Sequence, residues 1–127
     1  MRSGMRCATR RQALAASIGA AIACAIPLSV PSIAARLRRM TWDPASARRL
    51  GQAYAAAAPI ECTSEDLARL ILDSLCLDPV DLARMSDTQL RTMLNTLVRT
   101  DFERGNLTTA DGWFLSLNEA RLAALWV

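Results

Sequence analysis

The 127-residue chain contains no histidine and no lysine, and all fifteen of its basic residues are arginine. Histidine is the commonest general base and metal ligand, so its absence excludes a serine or cysteine triad and a histidine-based zinc site. Without lysine the chain cannot form a Schiff base or a Walker-type phosphate loop. Two isolated pairs of carboxylates, at Glu65-Asp66 and at Asp78 and Asp81, fit helix starts better than catalysis. We therefore expect no catalytic, cofactor-binding or metal-ligating residues, and we expect that the protein is not an enzyme.

The formal net charge of +3 comes from the beginning of the chain. Four arginines lie within the first eleven residues, before an uncharged stretch from Gln12 to Ala35. Beyond Ala34, eleven arginines face twelve acids, which gives a net charge of −1. Because nucleic-acid binding needs a clustered basic face on the folded part of a protein, we expect no nucleic-acid partner.

Residues 1–34 have the organisation of a secretory signal, with a charged start and an alanine-rich apolar stretch from Ala13 to about Ile26. Small residues in Ser32-Ile33-Ala34 predict cleavage between Ala34 and Ala35 and a mature domain of residues 35–127. Roughly 15 apolar residues precede Pro27, fewer than the ~20 that a membrane-spanning helix needs. An uncleaved leader that anchors the protein in the inner membrane is the alternative.

The leader also contains a more specific pattern. Arg10-Arg11, with Leu14 just beyond, resembles a twin-arginine translocation signal, although Ala13 stands where phenylalanine is usual. An ordinary Sec leader is the alternative. Both routes predict a periplasmic protein that has the export translocase as a partner.

Helix signals in residues 35–127 predict an all-α fold, a small bundle of three to four helices after the export signal. Asp43-Pro44 and Thr63-Ser64 are helix starts, and Ser86-Asp87-Thr88-Gln89 and Ser116-Leu117-Asn118-Glu119 are capping boxes. The first helix is expected to end before Pro59 and the third long helix at Gly105. Residues 106–115 are expected to be extended with a turn at Asp111-Gly112. No segment shows the alternation of apolar and polar residues that would predict a strand.

Two cysteines, Cys62 and Cys76, follow the leader. A helix between them would separate their Cα atoms by roughly 20 Å, whereas a disulfide needs about 7 Å or less. We therefore expect no Cys62–Cys76 disulfide. Cys76, between two leucines, is predicted to be a core residue. Cys62 is predicted to be a free thiol or to form an intermolecular disulfide.

The aromatic residues near the end of the chain are candidates for partner contact. Trp113 and Phe114 are expected to anchor the last helix internally, since small domains bury their aromatic residues. The alternative is that they belong to a docking surface, because tryptophan is enriched at interface hot spots. Trp126 is the stronger interface candidate of the three, because little chain follows it.

Two segments carry a resemblance to known families. Residues 112–120, GWFLSLNEA, resemble a stretch near the C-terminus of small, uncharacterised bacterial proteins with twin-arginine signals. The leader, the size and the helix start Asp43-Pro44-Ala45 resemble the small subunits of membrane-bound flavin-dependent sugar or alcohol dehydrogenases. This resemblance implies export in company with a large catalytic subunit, and it supplies no catalytic residues.

A physical argument leads to the same expectation. The twin-arginine route carries folded proteins, typically because they hold a cofactor or accompany a partner that does. Because this chain has no ligand set of its own, we predict a non-catalytic exported accessory subunit or assembly factor of a larger, cofactor-containing periplasmic oxidoreductase. A stand-alone periplasmic binding or stress protein, or a membrane-anchored small protein with an uncleaved leader, is the alternative.

Overall fold

The structure is a computed structural model that describes residues 30–41, 43–61 and 63–127. Its helices are α1 (Val30–Arg38), α2 (Pro44–Ala57), α3 (Ser64–Leu75), α4 (Pro79–Arg84), α5 (Asp87–Arg104) and α6 (Leu117–Ala124), with a 3-10 turn at Pro59–Glu61. Strands β1 (Leu107–Ala110) and β2 (Trp113–Ser116) lie between α5 and α6. None of the described helices has the length and apolar character that crossing a membrane requires.

The helix starts predicted from the sequence are confirmed. Asp43 accepts hydrogen bonds from the backbone N–H groups of Ala45 and Ser46, and Pro44 is the first residue of α2. Complete capping boxes begin α5, at Ser86 and Gln89, and α6, at Ser116 and Glu119. These local bonds satisfy the free N–H groups that every helix start leaves.

The all-α prediction is wrong in one element, because the described residues include a small antiparallel sheet. Asp111 and Gly112 have φ angles of 52° and 79° and join β1 directly to β2. Two consecutive left-handed residues form the tight turn that matches the right-handed twist of paired strands, and Asp-Gly is a preferred sequence for it. The part of the chain that the structure describes is therefore mostly helical with one hairpin, and its six helices exceed the three to four expected.

Helix α1 spans the boundary between the predicted leader and the predicted mature domain. Pro31 lies in its first turn, where a missing N–H is tolerated, and Ile33, Ala34 and Leu37 are buried in the core. The Arg36 guanidinium donates hydrogen bonds to the backbone carbonyls of Leu82 and Met85, at the end of α4. The predicted cleavage position, between Ala34 and Ala35, therefore lies inside a packed helix.

Helix α6 is the central element of the domain. It contacts α1, α2, α3, α5 and both strands. Six of its eight residues are buried, namely Asn118, Ala120, Arg121, Leu122, Ala123 and Ala124. Alanines let the surrounding helices approach closely, and α2 contacts α6 more extensively than it contacts any other element. The orientation of the hairpin is fixed by this helix, since β2 leads directly into it.

Candidate functional site

The hairpin carries the most exposed aromatic residues of the described chain. The Trp113 side chain is 62% exposed and that of Phe114 is 71% exposed. Leu107 on the facing strand is also exposed. We refer to Leu107, Trp113 and Phe114 together as the hairpin surface. The expectation that Trp113 and Phe114 anchor the last helix internally is wrong, because neither side chain enters the core.

The register of the strands explains which side chains remain outside. Ala110 pairs with Trp113 and Thr109 pairs with Phe114. Residues directly opposite share one face of a sheet, and faces alternate along each strand. Phe114 therefore shares a face with Leu107, while Trp113 shares the other face with Ala110, which is buried against the helices. The two aromatic side chains consequently project on opposite faces near the turn.

Contacts at both ends hold the hairpin in place. At its base, the backbone N–H of Leu117 donates to the carbonyl of Asn106 over 2.9 Å. At its turn, Arg49 Nε of α2 lies 2.9 Å from Asp111 Oδ2, with both side chains largely exposed. Exposed ion pairs contribute little stability, so the burial of Ala110 and Ser116 does more to position the hairpin. The hairpin surface therefore lies on a segment that is packed against the domain.

Trp126 has a different environment from the other two candidates. Its side chain is half-buried, and its indole Nε1 donates to Thr41 Oγ1 over 2.8 Å. The guanidinium carbon of Arg48 lies 5.8 Å from the ring centroid, which is a cation–π distance. The polar edge and one face of the ring are therefore engaged within the domain, and Trp113 and Phe114 offer more free apolar surface.

Several predicted residues lie outside the described residues. These are Arg10, Arg11 and Leu14 of the export signal, and Cys62. Cys76 is disulfide-bonded, and its partner also lies outside the described residues. Its expected place in the core is wrong: Cys76 is half-buried and ends α3 in a left-handed conformation with φ of 58°.

Sequence reasoning missed a polar triad that links the end of α2 to α6. Arg121 donates from Nε and Nη2 to the two carboxylate oxygens of Glu61, each over 3.1 Å, and the Tyr54 hydroxyl donates to Glu61 Oε2. The hydrogen bonds from Arg121 lower the pKa of Glu61 below its usual value. Burial, together with the hydrogen bond to Glu61, raises the pKa of Tyr54 to about 12. All three groups stay in their ordinary charge states at neutral pH, so the triad is suited to holding structure.

A second buried polar contact joins α5 to α6. Asp101, which is 3% exposed, accepts hydrogen bonds at Oδ2 from the backbone N–H and the side-chain amide of Asn118, over 3.2 and 3.0 Å. The carboxylate lies at the start of α6, where the helix dipole stabilises negative charge. The position of the Asp101 carboxylate and its hydrogen bonds to Asn118 indicate that it stabilises the contact between α5 and α6.

Metal ligation has no support in the part of the chain that the structure describes. Within it, no group of three or more histidine, cysteine, aspartate or glutamate residues is placed to hold a metal ion. The acids described above are engaged by helix starts and by arginine.

Comparison with known proteins gives no family assignment. No family model, no curated protein and no solved structure matches the chain. The proposals below therefore depend on the residues and contacts of this chain alone.

Proposed function

We propose that the chain is a non-catalytic exported accessory subunit or assembly factor that docks through the hairpin surface onto a larger, cofactor-containing oxidoreductase. The observation that carries the proposal is the exposure of Trp113 and Phe114 on a hairpin whose other residues Ala110 and Ser116 are buried against the domain. Tryptophan is among the residues most enriched where interfaces concentrate their binding free energy.

The form of the hairpin favours contact with a protein. Preorganised aromatic side chains lose little conformational entropy on binding, so most of their burial contributes to affinity. Phe114 and Leu107 lie on the open face of the hairpin, and Trp113 projects beside the turn from the other face, so a partner that covers the turn can contact both aromatic side chains. The net charge of −1 beyond Ala34 leaves apolar contact as the main source of affinity.

The identity of the partner as an exported oxidoreductase depends on the leader and on the resemblance described above. A twin-arginine signal on a domain without its own ligand set is explained if the domain accompanies or serves a cofactor-containing protein. The proposal thus has two separable parts, a docking surface and a class of partner, and one experiment can test both.

The experiment is affinity capture with the full chain, expressed with a C-terminal tag in the host that encodes it. The docking variant is Trp113→Ser with Phe114→Ser, and the control is Ile60→Ser, since Ile60 is 90% exposed and lies on the 3-10 turn away from the hairpin. Both variants should keep the melting temperature of the unmodified chain, because the altered side chains make few internal contacts.

We expect the unmodified chain and the Ile60 variant to retain a larger exported protein that contains a redox cofactor. The double variant should recover at least tenfold less of it, because losing two hot-spot side chains costs more than about 1.4 kcal/mol. Recovery of the chain as a lone monomer would contradict the proposal and favour the stand-alone alternative. Equal recovery by the double variant would show that the partner binds another surface.

A further inference from the structure

A cavity of about 140 Å³ lies between α2, α5 and α6. Apolar side chains of all three helices line it, namely Ala47 and Leu50 of α2, Leu94 and Val98 of α5, and Leu122 of α6. In each long helix the two residues are three or four positions apart, so they lie on the same face. The interior is therefore apolar, and its volume is close to the ~150 Å³ of an apolar cavity that accepts benzene.

The rim of the cavity is polar, and its acidic side chains differ from its arginine in already having hydrogen-bond partners. Asp43 receives backbone hydrogen bonds from Ala45 and Ser46 at the start of α2. Glu119 receives one from the backbone N–H of Ser116 at the start of α6, over 3.0 Å. The positive ends of two helices, each equivalent to about half a charge, therefore offset part of the two negative charges. The acids on the rim are already engaged by the fold.

Arg91 and Asn95 of α5 lie one helical turn apart on the same rim. Both side chains are exposed, and within the described residues neither makes an ion pair or a side-chain hydrogen bond. A guanidinium group and a side-chain amide together offer the donors that bind a carboxylate, with the guanidinium able to bind both oxygens. At the mouth of this apolar cavity the Arg91 guanidinium and the Asn95 amide nitrogen are thus free donors, and the guanidinium brings the positive charge that attracts an anion.

We propose that this cavity binds a small carboxylate with an apolar tail about the size of a benzene ring. The tail occupies the space between Leu50 and Leu94, and the carboxylate binds Arg91 and Asn95. A pocket with an apolar interior and a few convergent polar groups is the usual form of a small-molecule site. The site is separate from the hairpin surface, so neither proposal depends on the other.

The test measures binding of 3-phenylpropanoate to the full chain by titration calorimetry and by NMR chemical-shift changes. Its neutral analogue, 3-phenylpropanol, has the same tail without the charge. Arg91→Gln removes the proposed contact to the carboxylate. Arg99→Gln is the matched control, because Arg99 is exposed on the same helix and does not line the cavity.

We expect the carboxylate to bind the unmodified chain and the Arg99 variant equally, and the Arg91 variant about tenfold more weakly. The alcohol should bind all three chains alike, with an affinity close to that of the carboxylate for the Arg91 variant. The absence of carboxylate binding at about 10 mM, or an equal loss in both arginine variants, would overturn the proposal.

Variants that fill the cavity provide a second test of the proposal. Ala47→Leu introduces a larger side chain into the wall and should abolish binding of both compounds. Ala47 is buried, so its replacement can impair folding. Val98→Phe is therefore tested as well, because Val98 is only half-buried and the phenylalanine side chain has room to enter the cavity. Binding of the carboxylate that persists in a folded Val98→Phe variant would place the site elsewhere and refute the assignment.

Discussion

Gly51 of α2 lies directly against the backbone of Ala123 in α6. A Cβ atom added to Gly51 would stand 2.3 Å from the Ala123 carbonyl oxygen and 2.8 Å from the Cα of Ala124. The obstacle is backbone, which cannot rotate away as a side chain can. The contact between the two helices therefore requires glycine at this position because of its size.

Replacing Gly51 with alanine tests this contact. In an unobstructed helix the change from glycine to alanine stabilises by roughly 0.5–1 kcal/mol. Here we expect Gly51→Ala to lower the free energy of unfolding by about 1–3 kcal/mol, because α2 must move away from α6. Thermal unfolding followed by circular dichroism measures the effect, with exposed Gln52→Ala as the control on the same helix. A Gly51 variant more stable than the unmodified chain would contradict the close contact.

Tyr54, the single tyrosine of the chain, reports on the buried triad. Its pKa is raised from 10.0 to about 12 by burial and by the hydrogen bond to Glu61. Neutral Tyr54 therefore contributes stability that is present below pH 10 and is lost as the pH rises towards 12. Titration followed by tyrosinate absorbance should show a midpoint near 12 in the folded chain, and a lower one in Glu61→Gln. A midpoint near 10 in the folded chain would refute the triad.

Glu61 controls the acid side of the same triad. Arg121 lowers the pKa of Glu61 below its ordinary value of 4.5. The ionised carboxylate therefore contributes stability that is fully present when the pH is above 4.5 and is lost as the pH falls through the lowered pKa. Glu61→Gln should cost about 3 kcal/mol at pH 7, since it leaves the mostly buried Arg121 without its counter-ion. Denaturant unfolding between pH 3 and 7 should show a flatter profile for this variant than for exposed Glu65→Gln. Parallel profiles would assign the acid dependence to other groups.

Asp101 should be as important to stability as an apolar core residue. Asp101→Ala leaves the backbone N–H and the side-chain amide of Asn118 buried without their acceptor, so we expect a loss of about 2–4 kcal/mol. Asp101→Asn keeps one acceptor oxygen and should lose less. Exposed Glu103→Ala, on the same helix, is the control in denaturant unfolding. A loss no greater than that of the control would remove the structural role assigned to this carboxylate.

The predictable parts of this fold are those encoded within four residues. Ser86 with Gln89, and Ser116 with Glu119, specify helix starts by bonds to their own backbone, so the sequence alone predicts them. The hairpin was missed because four-residue strands are too short for a pattern of alternation, although Asp111-Gly112 was identified as a turn. Composition predicted that Trp113 and Phe114 would be buried, whereas their exposure follows from the register of β1 against β2.

Contacts between distant segments could not be predicted in the same way. Arg121 meets Glu61 across sixty positions, and nothing in either local sequence indicates the other. The cavity depends likewise on the positions of α2 and α5 on α6. Amphipathic spacing shows which residues of α5 face inward, but it does not show that two helices leave a space between them. For this reason neither Arg91 nor Asn95 is identifiable as a candidate from the sequence.

Helix α1 leads to a prediction about where the chain can be cleaved without loss of stability. Cleavage between Ala34 and Ala35 would remove Ile33 and Ala34, which are 3% and 2% exposed, and would leave α1 without its first turn. Loss of the Ile33 side chain alone should cost about 2–5 kcal/mol. A chain that begins at Ala35 should therefore unfold at lower denaturant concentration than one that begins at Val30. If the chain is exported and processed as we propose, N-terminal sequencing should find a first residue at or before Val30. Equal stability of the two chains, together with a processed chain that begins at Ala35, would show that the core does not need the first turn of α1.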